Sequence, residues 1–283
     1  MKPRGPMSRR TWRPELAYAI GLLVTDGNLS LDGRHITLVS RDVDQLKTFA
    51  SILEINSRIG RHRGGYTPAG VFRLAFGDRL LFDWLAGIGL SPRKTHTIGA
   101  LSIPDEFFRD FLRGHLDGDG TISSYVDRHN TRLKPQYVYQ RLYVRFISAS
   151  RPHIEWLQTK TRFLLGIAGH VTVQQAADQG RVPLYTLRFA KGEAIALLRW
   201  IYHGPDVPCL ARKRAIVEPF LTGNIRDFRH PVGFGIREEP ARWRWGTTTQ
   251  CRSHRPGTFS SQPRLTVDRV NSRRSGWPST NVT

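Results

Sequence analysis

Apolar positions along the chain repeat in one order twice. Residues 14–27 (PELAYAIGLLVTDG) are almost continuously apolar and predict a helix. Alternation at Ile36, Leu38 and Ser40 predicts a strand over 35–40, followed by a helix over 42–53 and a short strand near 57–63. A strand over 71–76 and a helix over 79–89 complete the unit, which closes on LSPRKT at 90–95. From Pro104 the order recurs. A helical stretch spans 104–120, strands 143–150, 170–175 and 184–189, and helices 152–166 and 193–204; the unit closes on LARKR at 210–214. Less distinct strands near 27–33 and 121–125 give α-β-β-α-β-β-α twice.

The copies correspond position by position. Ile36, Leu38 and Ser40 match Val144, Phe146 and Ser148; Phe72, Leu74 and Phe76 match Tyr185, Leu187 and Phe189; Lys94 matches Lys213. Such self-similarity predicts an α+β fold of duplicated αββαββα units about a pseudo-two-fold axis, with two antiparallel sheets. The expected organisation is a basic arm over 1–13, a first repeat over 14–103, a second over 104–222 and a basic, mostly disordered tail over 223–283, where hydrophobic periodicity fades. The second repeat is longer, chiefly through a basic, tyrosine-bearing insertion at 124–141.

Charge narrows the partner. The 283 residues carry 43 Lys and Arg against 23 Asp and Glu, a formal net charge of +20, which favours a polyanion and first of all nucleic acid. No apolar run is long enough to span a bilayer, so no membrane role is expected. Residues 16–24 follow basic positions and mimic a signal sequence, but Pro14 and Glu15 interrupt the approach and no cleavage pattern follows. Cys209 and Cys251 are far apart, which argues against a structural zinc or a disulfide scaffold and fits a cytoplasmic protein.

The chemistry concentrates where the two leading helices end. Ala17, Gly21 and Thr25 lie four apart on one helix face, and Gly114 and Gly118 do the same in the second copy. Small residues at that spacing let two backbones approach closely, so the helices can form the junction between halves. Asp26 and Asp119 would then finish side by side at the negative ends of two helix dipoles. Carboxylates held so close repel unless cations lie beside them, and hard oxygen ligands suit Mg2+. Gly27 and Gly120 follow directly, where left-handed caps are expected. DGDGTIS at 117–123 superficially suggests a calcium loop, but that register puts His115 and Val126 at ligand positions, so it fails. Asp117, matched by Val24 in the first copy, is expected to be structural.

AIGLLVTDG (19–27) and LRGHLDGDG (112–120) resemble the paired signature helices of the LAGLIDADG homing endonucleases, over residues 14 to about 221. Two copies in one chain are similar to the monomeric, two-motif type. That resemblance implies a site-specific endonuclease acting on double-stranded DNA, typically intron-encoded and working in a bacterial or organellar compartment. It implies Mg2+ ligated by Asp26 and Asp119, with Lys94 and Lys213 beside the metals as catalytic partners, and one scissile phosphate per half, hence a staggered double-strand break. It also implies that the two sheets form a DNA-binding saddle. Paired divalent ions assist such hydrolysis by activating water and neutralising charge on the attacking and leaving oxygens.

If the apolar alternates are buried, the other strand face presents His35, Thr37, Arg73, Tyr143, Arg145, Thr186 and Arg188, with Arg61, Arg63 and Gln174 on the shorter strands. Arginine can bridge guanine O6 and N7, and glutamine can pair with adenine. Arg61, Arg63, Arg73, Arg145, Gln174 and Arg188 are therefore the candidate DNA contacts, and the basic ends would add sequence-independent affinity. Alternatives on the same scaffold are a non-cleaving DNA-binding regulator, against which both aspartates argue, and an RNA maturase, which charge does not separate from a nuclease. An intein is disfavoured because the chain starts with Met1 and lacks a terminal His-Asn pair.

Overall fold

Pro14, tolerated at the first turn because its missing N–H would be unpaired there, opens helix α1 (Pro14–Asp26). Leu16 to Val24 are all buried, so this helix has no solvent face over its central turns and must lie inside the protein. Helix α4 (Phe108–Asp117) is its counterpart, buried throughout except at Arg109. The computed structural model describes residues 6–62, 70–132, 135, 137–175 and 182–222. Arg63 and the tail over 223–283 lie outside the described residues.

Each half adds a four-stranded antiparallel sheet. The first comprises β1 (Gly27–Leu29), β2 (His35–Ser40), β3 (Gly60–Arg61) and β4 (Phe72–Gly77) in the order β1-β2-β4-β3. The second comprises β5 (Thr121–Asp127), β6 (Tyr139–Ser148), β7 (His170–Gln174) and β8 (Leu184–Ala190) in the order β5-β6-β8-β7. The two orders are the same, which establishes the duplication at the level of topology. Helices α2 (Val43–Ile52) and α3 (Arg79–Gly87) pack on the first sheet; α5 (Arg151–Leu165) and α6 (Lys191–Ile201) pack on the second. The period-2 pattern decides which face they cover: Ile36, Leu38, Leu74, Val144, Phe146 and Leu187 are fully buried. Phe72 and Tyr185 are only half-buried because each lies near a sheet edge strand.

Several boundaries shift from those predicted. The second leading helix is shorter than 104–120. A 3-10 turn (Asp105–Phe107) precedes it, and Gly118, at φ −70° and ψ −103°, ends it. The insertion is less of a loop than expected. Tyr125 pairs with Arg141 and Asp127 with Tyr139, so part of it extends the β5–β6 hairpin. Gly27 is extended (φ −89°, ψ 157°), not left-handed, and Gly120 has no positive φ either. Both are glycine for space: a Cβ would stand 2.5 Å from Leu23 O at Gly27 and 2.6 Å from Leu116 O at Gly120. The left-handed cap occurs instead at Gly166, φ 70°, closing α5.

The amino-terminal arm is docked where it is described. Arg9 bonds Asp78 at 2.8 Å and donates to the Leu53 and Glu54 carbonyls, and Arg13 donates to Ile52 O. These two cations serve the first half's own packing.

Candidate functional site

The seam between halves is a glycine-to-backbone contact. A Cβ at Gly21 would lie 2.2 Å from Phe111 O, and one at Gly114 would lie 2.0 Å from Tyr18 O. No side chain fits there, so α1 and α4 meet with their backbones in van der Waals contact. The contact carries through to the helix ends, where a Cβ at Gly118 would come 1.9 Å from Thr25 Oγ and 2.9 Å from Asp26 Oδ2. The four small residues expected at the helix interface, Gly21, Thr25, Gly114 and Gly118, are thus at the seam.

That packing delivers the two aspartates to one place, though not by equivalent geometry. Asp26 is the last residue of α1 and half-buried, whereas Asp119 lies in the turn beyond α4 and is exposed. Burial, and next the negative charge of Asp119, pushes the Asp26 carboxyl up to about 7, against the pull of Lys213 and Lys94. Asp119 keeps solvent contact by area, yet the protein crowded around it also raises its pKa, opposed by Lys94 and Lys213. The site therefore gathers two crowded carboxylates whose ionised forms burial disfavours, the two lysines offsetting that only in part. Hard oxygen donors in that state fit a divalent cation such as Mg2+. Among the described residues no group of three or more His, Cys, Asp or Glu side chains is placed to hold an ion. Asp26 and Asp119 would be the protein carboxylates, and such an ion takes its remaining oxygens from water or phosphate.

The lysines are both brought to the site and both buried, but they do different things. Lys213, on α7 (Ala211–Leu221), donates to Leu116 O, Asp117 O, Gly118 O and Gly120 O. An ammonium has three protons, so these four carbonyls occupy all of them. Lys213 thereby caps the carboxyl end of α4, where a cation is favoured. Lys94, in a 3-10 turn (Lys94–His96), donates to Gly27 O alone. Burial lowers the pKa of both, that of Lys213 to about 8.

Three buried polar residues complete the surroundings. Asp117 accepts from Leu210 N at 2.7 Å and from Tyr18 OH at 3.0 Å, with Tyr202 OH at 3.5 Å. It ties α1 and the lead-in to α7 onto α4, and so holds Lys213 in position. His115 and His153 meet at 3.0 Å between their Nε2 atoms, and His153 Nδ1 lies 2.9 Å from Gly99 O. Sequence reasoning gave Asp117 a structural role but passed over both histidines. The available signal was polar Arg113, His115 and Asp117 in a motif whose first copy is apolar at each of those places, Ile20, Leu22 and Val24.

The face of each sheet away from the helices carries polar side chains. Arg145 pairs with Arg188 across β6 and β8, and both guanidinium groups lie over the Tyr143 ring, at 5.1 and 5.6 Å from its centroid. Gln174, paired with Leu184, is on this face, as is Arg73 of the first sheet, paired with Val39. Arg61 is not beside Arg73: it pairs with Phe72, which puts it on the opposite side of the sheet, at the edge.

The fold of this chain is similar to that of solved endonucleases. The structure is similar to the LAGLIDADG meganuclease I-AabMI bound to uncleaved DNA, with a TM-score of 0.51 and 11% identity, covering 75% of this chain and 90% of that one. It also matches the I-LtrWI LAGLIDADG homing endonuclease bound to target DNA, with a TM-score of 0.46, 13% identity and coverage of 73% and 88%. I-DmoI in complex with DNA and calcium gives a TM-score of 0.46, 15% identity and coverage of 71% and 96%. No family model and no curated protein matches the sequence. At these identities the likeness is one of fold.

Proposed function

We propose that the chain is a site-specific endonuclease that binds double-stranded DNA and makes a staggered break, one phosphodiester per strand. The observation that carries this reading is the crowding of Asp26 and Asp119 at the α1–α4 seam, where a Cβ on Gly118, the neighbour of Asp119, would stand 2.9 Å from Asp26 Oδ2. Mg2+ held by these carboxylates would supply charge neutralisation at the scissile phosphate and an activated water. The chain's own residues do the rest. Gly21, Gly114 and Gly118 fix the carboxylate spacing, Lys213 and Asp117 fix the α4 terminus, and Lys94 offers an ammonium beside Asp119.

The two sheet faces would form a saddle over the duplex. The Tyr143 ring lies against both Arg145 and Arg188, which would lower the entropy lost when they engage bases or phosphates. Arg73 and Gln174 extend the surface, with Arg61 at its edge, and Arg63 is a further candidate contact on sequence grounds alone. One chain supplies both carboxylates, so it would act as a monomer. Among the described residues no helix is long and apolar enough to cross a membrane. The DNA-containing compartment would be bacterial or organellar, and an intron-encoded origin fits the resemblance.

The decisive assay adds purified protein to a randomised plasmid library with and without Mg2+. Breaks at a recurring long site, formed only with the ion, support an endonuclease. Tight binding to such a site without breaks under any divalent ion would instead make the chain a DNA-binding regulator, and selective capture of folded intron RNA would make it a maturase.

A further inference from the structure

The two sheets differ at one corner. Strands β5 and β6 run for seven and ten residues, against three and six for their counterparts β1 and β2. β8 accompanies β6 only as far as Tyr143, which pairs with Ala190. Beyond that point residues 139–142 pair with β5 alone among the described residues, so a two-stranded ribbon continues past the sheet for about 13 Å.

One face of this ribbon is aromatic. Leu142 and Val144 are buried, so the alternate positions Tyr139, Arg141, Tyr143 and Arg145 share the face turned away from the helices. Cross-strand pairing adds Tyr125, opposite Arg141, and Asp127, opposite Tyr139. The Tyr125 residue is 51% exposed, and its ring lies 6.4 Å from that of Tyr143. The Arg141 guanidinium lies over the Tyr139 ring, 5.2 Å from its centroid. It also bonds Asp127 Oδ2 through Nε and Nη2, each at 2.9 Å, so the charges on the ribbon face cancel. The cations Arg145 and Arg188 pair one step further in, where the ribbon joins the sheet.

This arrangement selects among nucleic acids. In a duplex each base is stacked on its neighbours, and its faces are closed to a tyrosine. In a single strand the faces are open, and they stack on aromatic side chains whatever the base, with arginine alongside. A neutral aromatic ribbon leading into two cations suits the second ligand. We propose that the β5–β6 ribbon, with Tyr125 and Tyr143 as its stacking platform, binds single-stranded polynucleotide in addition to the duplex assigned to the sheet faces. Bases stack on the tyrosines, and the adjoining phosphates meet Arg145 and Arg188. The site uses neither Asp26 nor Asp119, so it stands or falls apart from the cleavage reading.

The test titrates the full chain, without divalent ions, against labelled oligothymidylate and oligouridylate of ~20 nucleotides, long enough to span such a platform. A duplex of the same length is the comparison, and each titration is repeated at several salt concentrations. Tyr125→Val keeps a strand-forming side chain. It should weaken single-strand binding roughly tenfold, leave the salt slope unchanged and leave duplex binding within about twofold. Tyr125→Phe, which retains the ring, should bind as the wild type does. Tighter binding of oligothymidylate would assign the site to DNA strands and tighter binding of oligouridylate to RNA; both support the proposal. Equal affinity of wild type and Tyr125→Val for both single strands would overturn it, as would an equal loss on the duplex. Photo-cross-linking of a strand carrying 5-iodouracil gives a second readout on the unaltered protein. Adducts should map to Tyr125 or Tyr143, and adducts confined to other parts of the chain would overturn the assignment.

Discussion

A Cβ placed on Gly118 would stand 2.9 Å from Asp26 Oδ2, although the two residues come from different halves of the sequence. The same atom would meet Thr25 Oγ at 1.9 Å, so neither the carboxylate nor the hydroxyl can stay in place beside an alanine. Gly118→Ala should leave the fold largely intact, because the neighbours are side-chain atoms, but displace Asp26. We expect cleavage to fall by about 100-fold, on the scale of a misplacement of about 1 Å, with stability reduced by roughly 1–3 kcal/mol. Kinetics on the selected site, with a thermal melt alongside, separates the two effects.

The seam higher up should respond differently. At Gly21 and Gly114 the facing atoms are backbone, which cannot rotate away. Gly114→Ala should force α1 and α4 apart and destabilise the protein by about 3 kcal/mol or more, beyond ordinary overpacking. A midpoint unchanged in urea denaturation would show that the helices do not touch there.

Acidity acts on this site with two opposing signs. Asp26 titrates near 7 when folded but near its ordinary 3.8 when unfolded, so between those values the folded state binds more protons. Its burial therefore destabilises the protein at high pH, and the effect disappears as pH falls towards 3.8. Asp26→Asn should raise stability at pH 8 by on the order of 3 kcal/mol, with the gain shrinking to nothing near pH 4. Burial holds His153 down to about 4 from its ordinary 6.5, and His115 is also lowered by burial and by His153. There the unfolded chain binds more protons, so stability is lost as pH falls from 6.5 towards 4. His153 alone accounts for about 3 kcal/mol of that loss. Comparing melts of Asp26→Asn with those of Asp26→Asn/His153→Gln across this range cancels the opposing titration of Asp117 and Asp119 and reads the His153 contribution. Identical pH profiles would mean that His153 is not buried and neutral.

On the second sheet, one tyrosine organises two arginines. Tyr143→Leu removes no charge but frees Arg145 and Arg188. We expect it to weaken DNA binding by roughly 10-fold, about 0.5–1.5 kcal/mol for each side chain released. Arg145→Ala and Arg188→Ala should each reduce the salt dependence of binding by about one ion if they contact phosphate. Titrations at several salt concentrations read both; a Tyr143→Leu protein with unchanged affinity would remove this face from the interface.

Much of this was legible in the sequence, and for identifiable reasons. Ile36, Leu38, Val144 and Phe146 alternate because each strand has one covered face, so strands and duplication follow from periodicity alone. Gly21, Gly114, Asp26 and Asp119 could be paired because close helix packing leaves a small-residue signature. The conformation of Gly27 was not legible, since glycine serves both a left-handed turn and a tight contact, and only the position of Leu23 decides between them. The face of Arg61 depended on its register against Phe72, which a two-residue strand does not encode by itself. The difference between Lys94 and Lys213 was also hidden. It arises from which carbonyls lie around each ammonium, whereas the sequence shows two matching lysines.

The central claim is that Asp26 and Asp119 jointly hold the divalent ion that cuts DNA. The most direct measurement compares the wild type with Asp26→Asn, Asp119→Asn and the double variant on the selected site in Mg2+, with binding measured in parallel. The account predicts that the double variant binds within about 3-fold of wild type and makes no breaks, a loss of at least ~1000-fold. A double variant that still cuts both strands at the wild-type rate would contradict it.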